Sequence, residues 1–235
     1  MELNKLAAKT IFFGHQSVGG NIIQGIEETL KAHPGPTLTI RQAESLASGQ
    51  GPAIIHTVVG QNTDPLSKLS AFDRQVRAGI GGRADIAFFK FCYVDFGQNT
   101  DVDQLFAAYK QTMADLSSAY PQTTFVHVTA PLTAARQGFK VMIKNLIGRS
   151  EEPIDHLRRH QFNELLRREY ADTGRIFDLA AIESTYLDGK ICTVSVNNQT
   201  APCLIIDYTD DGGHLNEAGR KVVSTQLLKF LANLD

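Results

Sequence analysis

Two stretches at opposite ends of the chain carry residues whose types and spacing suit acyl chemistry. The first is Gly14-His15-Gln16-Ser17-Val18-Gly19-Gly20, which follows the apolar run Ile11-Phe12-Phe13. A strand that gives way at once to small and polar residues, and then to a helix, places its turn at the carboxyl edge of a sheet. That is where open α/β sheets bind ligands. Ser17 stands on this turn as a candidate nucleophile. Backbone N–H groups at the following helix start can hold a developing oxyanion, and Gly19 and Gly20 allow a substrate close to the backbone. The plain alternative is a serine that caps the helix. The stretch lacks the Gly-Lys-Ser/Thr ending of a phosphate loop, and the chain has no dinucleotide glycine motif.

The second stretch is Asp210-Asp211-Gly212-Gly213-His214-Leu215-Asn216. Imidazole titrates near neutrality and suits a general base. A carboxylate three residues earlier, Asp211, can turn back onto one ring nitrogen of His214, fix its tautomer and leave the other nitrogen for a hydroxyl. Asp210 competes for that role, and spacing separates the two poorly. Taken singly, the aspartates read as turn residues and His214 as a solvated loop histidine. Together they predict Ser17 as nucleophile, His214 as base and Asp211, or its neighbour Asp210, as the orienting acid.

Such residues meet only if the elements between them bring the chain ends together. Short apolar runs alternate with longer amphipathic ones, the pattern of a mainly parallel sheet flanked by helices. Strands are expected at 10–13, 37–41, 54–59, 86–93, 125–128 and 176–179. Helices are expected at 18–33, 66–78, 102–119, 154–170 and 215–232. Gly25 inside the first helix is a cost of up to about 1 kcal/mol relative to alanine. The expected fold is a three-layer α/β/α sandwich, flavodoxin-like, with a mainly parallel central sheet of about five strands. One domain is expected over 1–235, with a β-hairpin insertion around 186–208. Cys192 and Cys203 flank that hairpin at a separation that permits pairing. Phe139, Val141, Met142 and Ile143 fall in a segment that reads as a short helix or a lid.

The two motifs, in this order, resemble the SGNH, or GDSL-like, hydrolase superfamily. The early block appears as Gly14-His15-Gln16-Ser17, one residue longer than the family's Gly-Asp-Ser. The late block appears as Asp211-Gly212-Gly213-His214, followed by Leu215-Asn216-Glu217-Ala218-Gly219. The resemblance implies the sandwich fold and hydrolysis of small acyl esters, such as O-acetyl groups on a carbohydrate, through an acyl-enzyme. Acyl transfer to a sugar by the same residues is the alternative, as is a non-catalytic sugar-binding or scaffold role on the same fold. The family also implies oxyanion donors from a glycine in a second block and an asparagine in a third. The second block corresponds to Val59-Gly60-Gln61-Asn62. The third position reads Lys90-Phe91-Cys92-Tyr93-Val94-Asp95 and has no asparagine. Loss of one such donor costs about 2.7–4 kcal/mol in enzymes built around it, so the Ser17 and Gly60 N–H groups and the Asn62 side chain are the expected donors. His15, Gln16, Cys92, Tyr93 and Asp95 are candidate substrate contacts. His15 replaces an acidic residue of the family and is expected to touch substrate or to pack beside Asp95. Lys90 is the expected ion partner of Asp95. No ligand spacing supports a metal cluster of His15, Asp95 and His214, and no cofactor is expected.

Composition removes several other classes. Across 235 residues, 23 basic and 25 acidic side chains give a formal net charge of -2. That balance supplies no basic field for nucleic acid. The basic run around Arg158, Arg159, Arg167 and Arg168 is interspersed with Glu164 and Glu169 and reads as a solvated helix face. No apolar run reaches the 18 residues of a membrane span. Charges at Glu2, Lys5 and Lys9 argue against a leader peptide at the start. The chain as written reads as cytoplasmic, and as periplasmic or secreted if a leader has been removed. The expected partner is a small-molecule or carbohydrate ester.

Overall fold

The computed structural model describes residues 3–32, 38–43, 51–136 and 154–234. In chain order the regular elements are α1 (Leu3–Ala7), β1 (Thr10–His15), α2 (Val18–Ala32), β2 (Ile40–Gln42), β3 (Ala53–Val58), α3 (Pro65–Gln75), β4 (Ile86–Phe89), α4 (Val102–Ala119) and β5 (Thr124–Val128). They continue as α5 (Asp155–Tyr170), β6 (Ile176–Phe177), α6 (Leu179–Ser184), β7 (Thr193–Val196), β8 (Gln199–Pro202) and α7 (Glu217–Ala232). The segment containing Phe139 to Ile143 lies outside the described residues.

Six parallel strands, one at each expected run, form the main sheet, in the order β2-β3-β1-β4-β5-β6. The edge strands β2 and β6 span only three and two residues. Short edges limit unpaired backbone open to other chains.

β1 lies inside the sheet because both of its faces are apolar. Ile11 and Phe13 face one layer, with Ile22 and Ile26 of α2 and Leu227 and Leu228 of α7. Phe12 faces the other, with Phe72 of α3, Leu105 and Met113 of α4 and Phe162 of α5. Burying each such side chain contributes about 1.5–3 kcal/mol, so the register of β1 is strongly held. That register carries the Gly14–Ser17 turn to the carboxyl edge. Gly25 has a packing reason: a Cβ there would lie 2.7 Å from the Arg220 carbonyl oxygen of α7. The close α2–α7 crossing brings the start of α7, and with it the late motif, against the early one.

Two expected elements end differently. The strand predicted to reach Tyr93 stops at Phe89, and Tyr93–Asp95 forms a 3-10 turn. The Asp95 carboxylate accepts the Cys92 N–H at 2.7 Å, which turns the chain out of the ladder. The helix that begins at Pro65 runs on into a π-helical turn at Val76–Ile80. β7 and β8 pair as an antiparallel hairpin apart from the main sheet. Asn197 and Asn198 sit at its tip with φ of 50° and 62°, as a two-residue turn between twisted strands requires.

Candidate active site

Ser17 occupies the junction of β1 and α2 with φ of 51°. This left-handed conformation is uncommon for a residue with a side chain and occurs at functional turns. Gly19 is required beside it, because a Cβ there would lie 2.3 Å from the Cβ of His15. The Ser17 carbonyl accepts the Gly20 N–H at 2.7 Å. The hydroxyl is engaged away from the helix: Ser17 Oγ lies 2.6 Å from His214 Nε2.

His214 Nδ1 lies 2.6 Å from Asp211 Oδ2. The other carboxylate oxygen, Oδ1, accepts the backbone N–H groups of His214 at 2.8 Å and Gly213 at 2.9 Å. The His214 N–H is the main reason that the Asp211 carboxyl is held well below the usual carboxylate range. The Gly213 N–H and the imidazole add to the effect, and burial opposes it. An ionised Asp211 accepts from Nδ1–H and leaves the lone pair of Nε2 facing the Ser17 hydroxyl. Asp210 instead accepts from the Asn216 side chain at 3.1 Å, so the geometry separates the two aspartates that spacing did not. Thr209, which the sequence reading did not single out, accepts the Gly212 N–H at 2.9 Å and donates to Asp211 at 3.3 Å. Both ionisable side chains remain open to solvent, 44% exposed for His214 and 57% for Asp211.

Tyr93 stands edge-on to His214, with ring centroids 5.8 Å apart. A Cβ on Gly213 would lie 2.7 Å from the Tyr93 ring. Burial, then the Asp211 charge, raises the Tyr93 phenol above the usual range. The side-chain amide of Gln16 donates to the Val59 carbonyl at 3.0 Å and to the Gly60 carbonyl, tying the Ser17 turn to the loop after β3. Gly60 has φ of 60°, and its Cβ position is filled by the Lys68 backbone, 2.4 Å away. Among the described residues, neither the Ser17 nor the Gly60 N–H donates a hydrogen bond. Asn62 Oδ1 accepts from Lys68 Nζ at 3.0 Å, which leaves its NH2 group for another acceptor.

Asp95 is fully buried and pairs with Lys68, at 2.8 and 2.6 Å to its two oxygens, not with Lys90. It also accepts the Thr63 N–H at 3.0 Å. Lys90 points instead to the Phe91 carbonyl at 3.1 Å and to Cys92 Sγ at 3.7 Å. Cys92 Sγ in turn lies 3.7 Å from the Gln16 carbonyl. His15 is not beside Asp95. It is buried, stacks on His56 and shares a 3.0 Å ring-nitrogen contact with it. Burial, then His56 and Lys90, lowers its imidazole to about 3. His15, Asp95 and His214 thus lie in three separate clusters, and no group of three metal-ligating side chains is found among the described residues. Lys68 was missed by the sequence reading. Its signal was its place: Lys68, Leu69, Phe72 and Val76 form the buried stripe of this helix, whereas Leu66 is exposed.

A serine hydroxyl, an imidazole and an ionised carboxylate in this order can activate the hydroxyl toward an acyl carbon. No family model and no curated protein matches the chain. Solved structures do match it. A provisionally assigned platelet activating factor from Streptococcus pneumonia is 16% identical, with a TM-score of 0.55, over 98% of this chain and 86% of that one. A provisionally assigned lipolytic protein of the G-D-S-L family from Desulfitobacterium hafniense is 9% identical, with a TM-score of 0.50, over 95% of this chain and 99% of that one. The psychrotrophic esterase EstA from Pseudoalteromonas sp., solved inhibited by monoethylphosphonate, is 10% identical, with a TM-score of 0.51, over 95% and 96%. These are likenesses of fold: each shares the arrangement of a mainly parallel sheet between two layers of helices.

Proposed function

We propose that the protein is a serine esterase acting on small acyl esters, O-acetyl groups on carbohydrates among them. His214 Nε2 takes the proton of Ser17 Oγ as that oxygen attacks the ester carbonyl. Asp211 holds the ring in the tautomer this requires and stabilises the imidazolium. The Ser17 and Gly60 N–H groups, with the Asn62 amide, receive the oxyanion in place of the absent third-block asparagine. His214 then returns the proton to the leaving alcohol. Water, activated by the same ring, attacks the acyl-serine and releases the acid. The observation that carries this reading is the pair of 2.6 Å contacts linking Ser17, His214 and Asp211 across 197 residues of chain. The fold it shares with esterases supports the broader class of hydrolysis or acyl transfer.

The test uses a small aryl acetate and a serine-reactive phosphonate. We expect the phosphonate to modify Ser17, and S17A to lower turnover by at least about 1,000-fold, as loss of a nucleophile does elsewhere. Full turnover by S17A, or a phosphonate found on another residue, overturns the assignment. Acetyl appearing on an added sugar acceptor in preference to water would assign the same residues to transfer.

A further inference from the structure

The Ser17 site uses neither Cys192 nor Cys203, yet the hairpin sets them opposite one another. β7 and β8 pair Thr193 with Pro202 and Val194 with Ala201. One step further along this register stand Cys192 and Cys203, and the Cys203 N–H donates to the Cys192 carbonyl at 2.9 Å. Directly opposed residues of an antiparallel pair point to the same face. Here that is the inner one: Cys203 belongs to the small core of Val194, Val196 and Ala201, and Cys192 packs against it. Opposed positions on adjacent strands have Cα separations within the range a disulfide spans. The cysteines are thiols in this structure.

We propose that Cys192 and Cys203 form a reversible cross-strand disulfide site, closed by thiol–disulfide exchange with a low-molecular-mass disulfide. The two sulfurs have unequal roles. Cys203 is buried, whereas Cys192 is half-exposed, so an incoming disulfide meets Cys192 first. Cys192 Sγ donates to the Leu204 carbonyl at 3.8 Å, and the neighbouring Cys203 side chain is the main reason its thiol is lowered to about 7, with burial opposing. A thiol poised near ambient pH is the effective attacking nucleophile. Its thiolate attacks one sulfur of the small disulfide, forms a mixed disulfide at Cys192 and expels one thiolate, which takes a proton. Cys203 then loses its proton to solvent and attacks the Cys192 sulfur. The protein disulfide forms and the second small thiolate leaves and is protonated. The protein dithiol is oxidised, and the small disulfide is reduced to two thiols.

The experiment treats the native full chain with oxidised glutathione, quenches with an alkylating agent and maps peptides by mass. Wild type should lose two hydrogens, yield a linked Cys192–Cys203 peptide and resist alkylation at both residues until reduced. C203S should stop at a glutathione adduct on Cys192. C192S should show no adduct at Cys203. C92S should close like wild type. The rate should rise as pH passes through about 7. Two results overturn the proposal: native wild type whose two thiols both stay alkylatable, or a stable glutathione adduct on Cys192 in wild type to the extent seen in C203S. The wild-type peptide map decides the matter if a variant fails to fold, and circular dichroism identifies that case.

Discussion

At the scale of single residues, the informative contrast is between two adjacent aspartates. Asp211 aims one oxygen at the His214 ring and the other at two backbone N–H groups, while Asp210 receives Asn216. If Asp211 orients the base, D211N should lower turnover of a small aryl acetate by about 10,000-fold, because an amide presents a donor where Nδ1–H needs an acceptor. D210N keeps a carbonyl oxygen for Asn216 and should stay within about two-fold of wild type. Equal losses in the two variants would remove Asp211 from its role. Sequence spacing predicted the residue types, but it could not choose between neighbours whose side chains leave the backbone in different directions.

At the scale of elements, the loops after β1, β3 and β4 are stitched together from below. Gln16 reaches the second loop, and Lys68 joins Asn62 of that loop to Asp95 of the third. The Lys68–Asp95 pair is wholly buried. Breaking one partner of a buried pair leaves an uncompensated charge and costs about 3–5 kcal/mol. K68M should therefore lower the unfolding free energy in a urea titration by that order. K68M/D95N, which removes the stranded charge, should recover part of the loss. A K68M protein as stable as wild type would show that the pair does not hold these loops. The helix carrying Lys68 was legible from its apolar spacing. Its rotation was not, because a lysine on the buried stripe is explained only by an aspartate 27 residues away.

At the scale of the whole molecule, burial sets how stability responds to pH. His15, His127 and His156 are buried and lowered to about 3, each chiefly by burial. The unfolded chain takes up their protons near the ordinary 6.5, the folded chain only near 3, so stability must fall as pH drops through that window. The melting temperature should decline from about pH 6.5 towards pH 3. Glu183, buried and pushed up to about 8, acts in the opposite sense. The folded chain keeps that proton when the unfolded chain has lost it, so its contribution is fullest below about 4.5 and fades as pH rises through 8. The melting temperature of E183Q relative to wild type should accordingly rise between pH 4.5 and 8. A difference independent of pH would contradict the burial argument. Among the described residues no helix is long and apolar enough to cross a membrane. The sequence by itself determined the alternation of strands and helices and the residue types at the carboxyl edge of the first strand, because these follow from local periodicity and composition. Only the tertiary structure decided which aspartate meets His214, that Asp95 belongs to Lys68 and not to Lys90, and that His15 turns to His56. Those outcomes depend on contacts between segments far apart in the chain, where side-chain direction and desolvation choose among partners that spacing leaves equivalent.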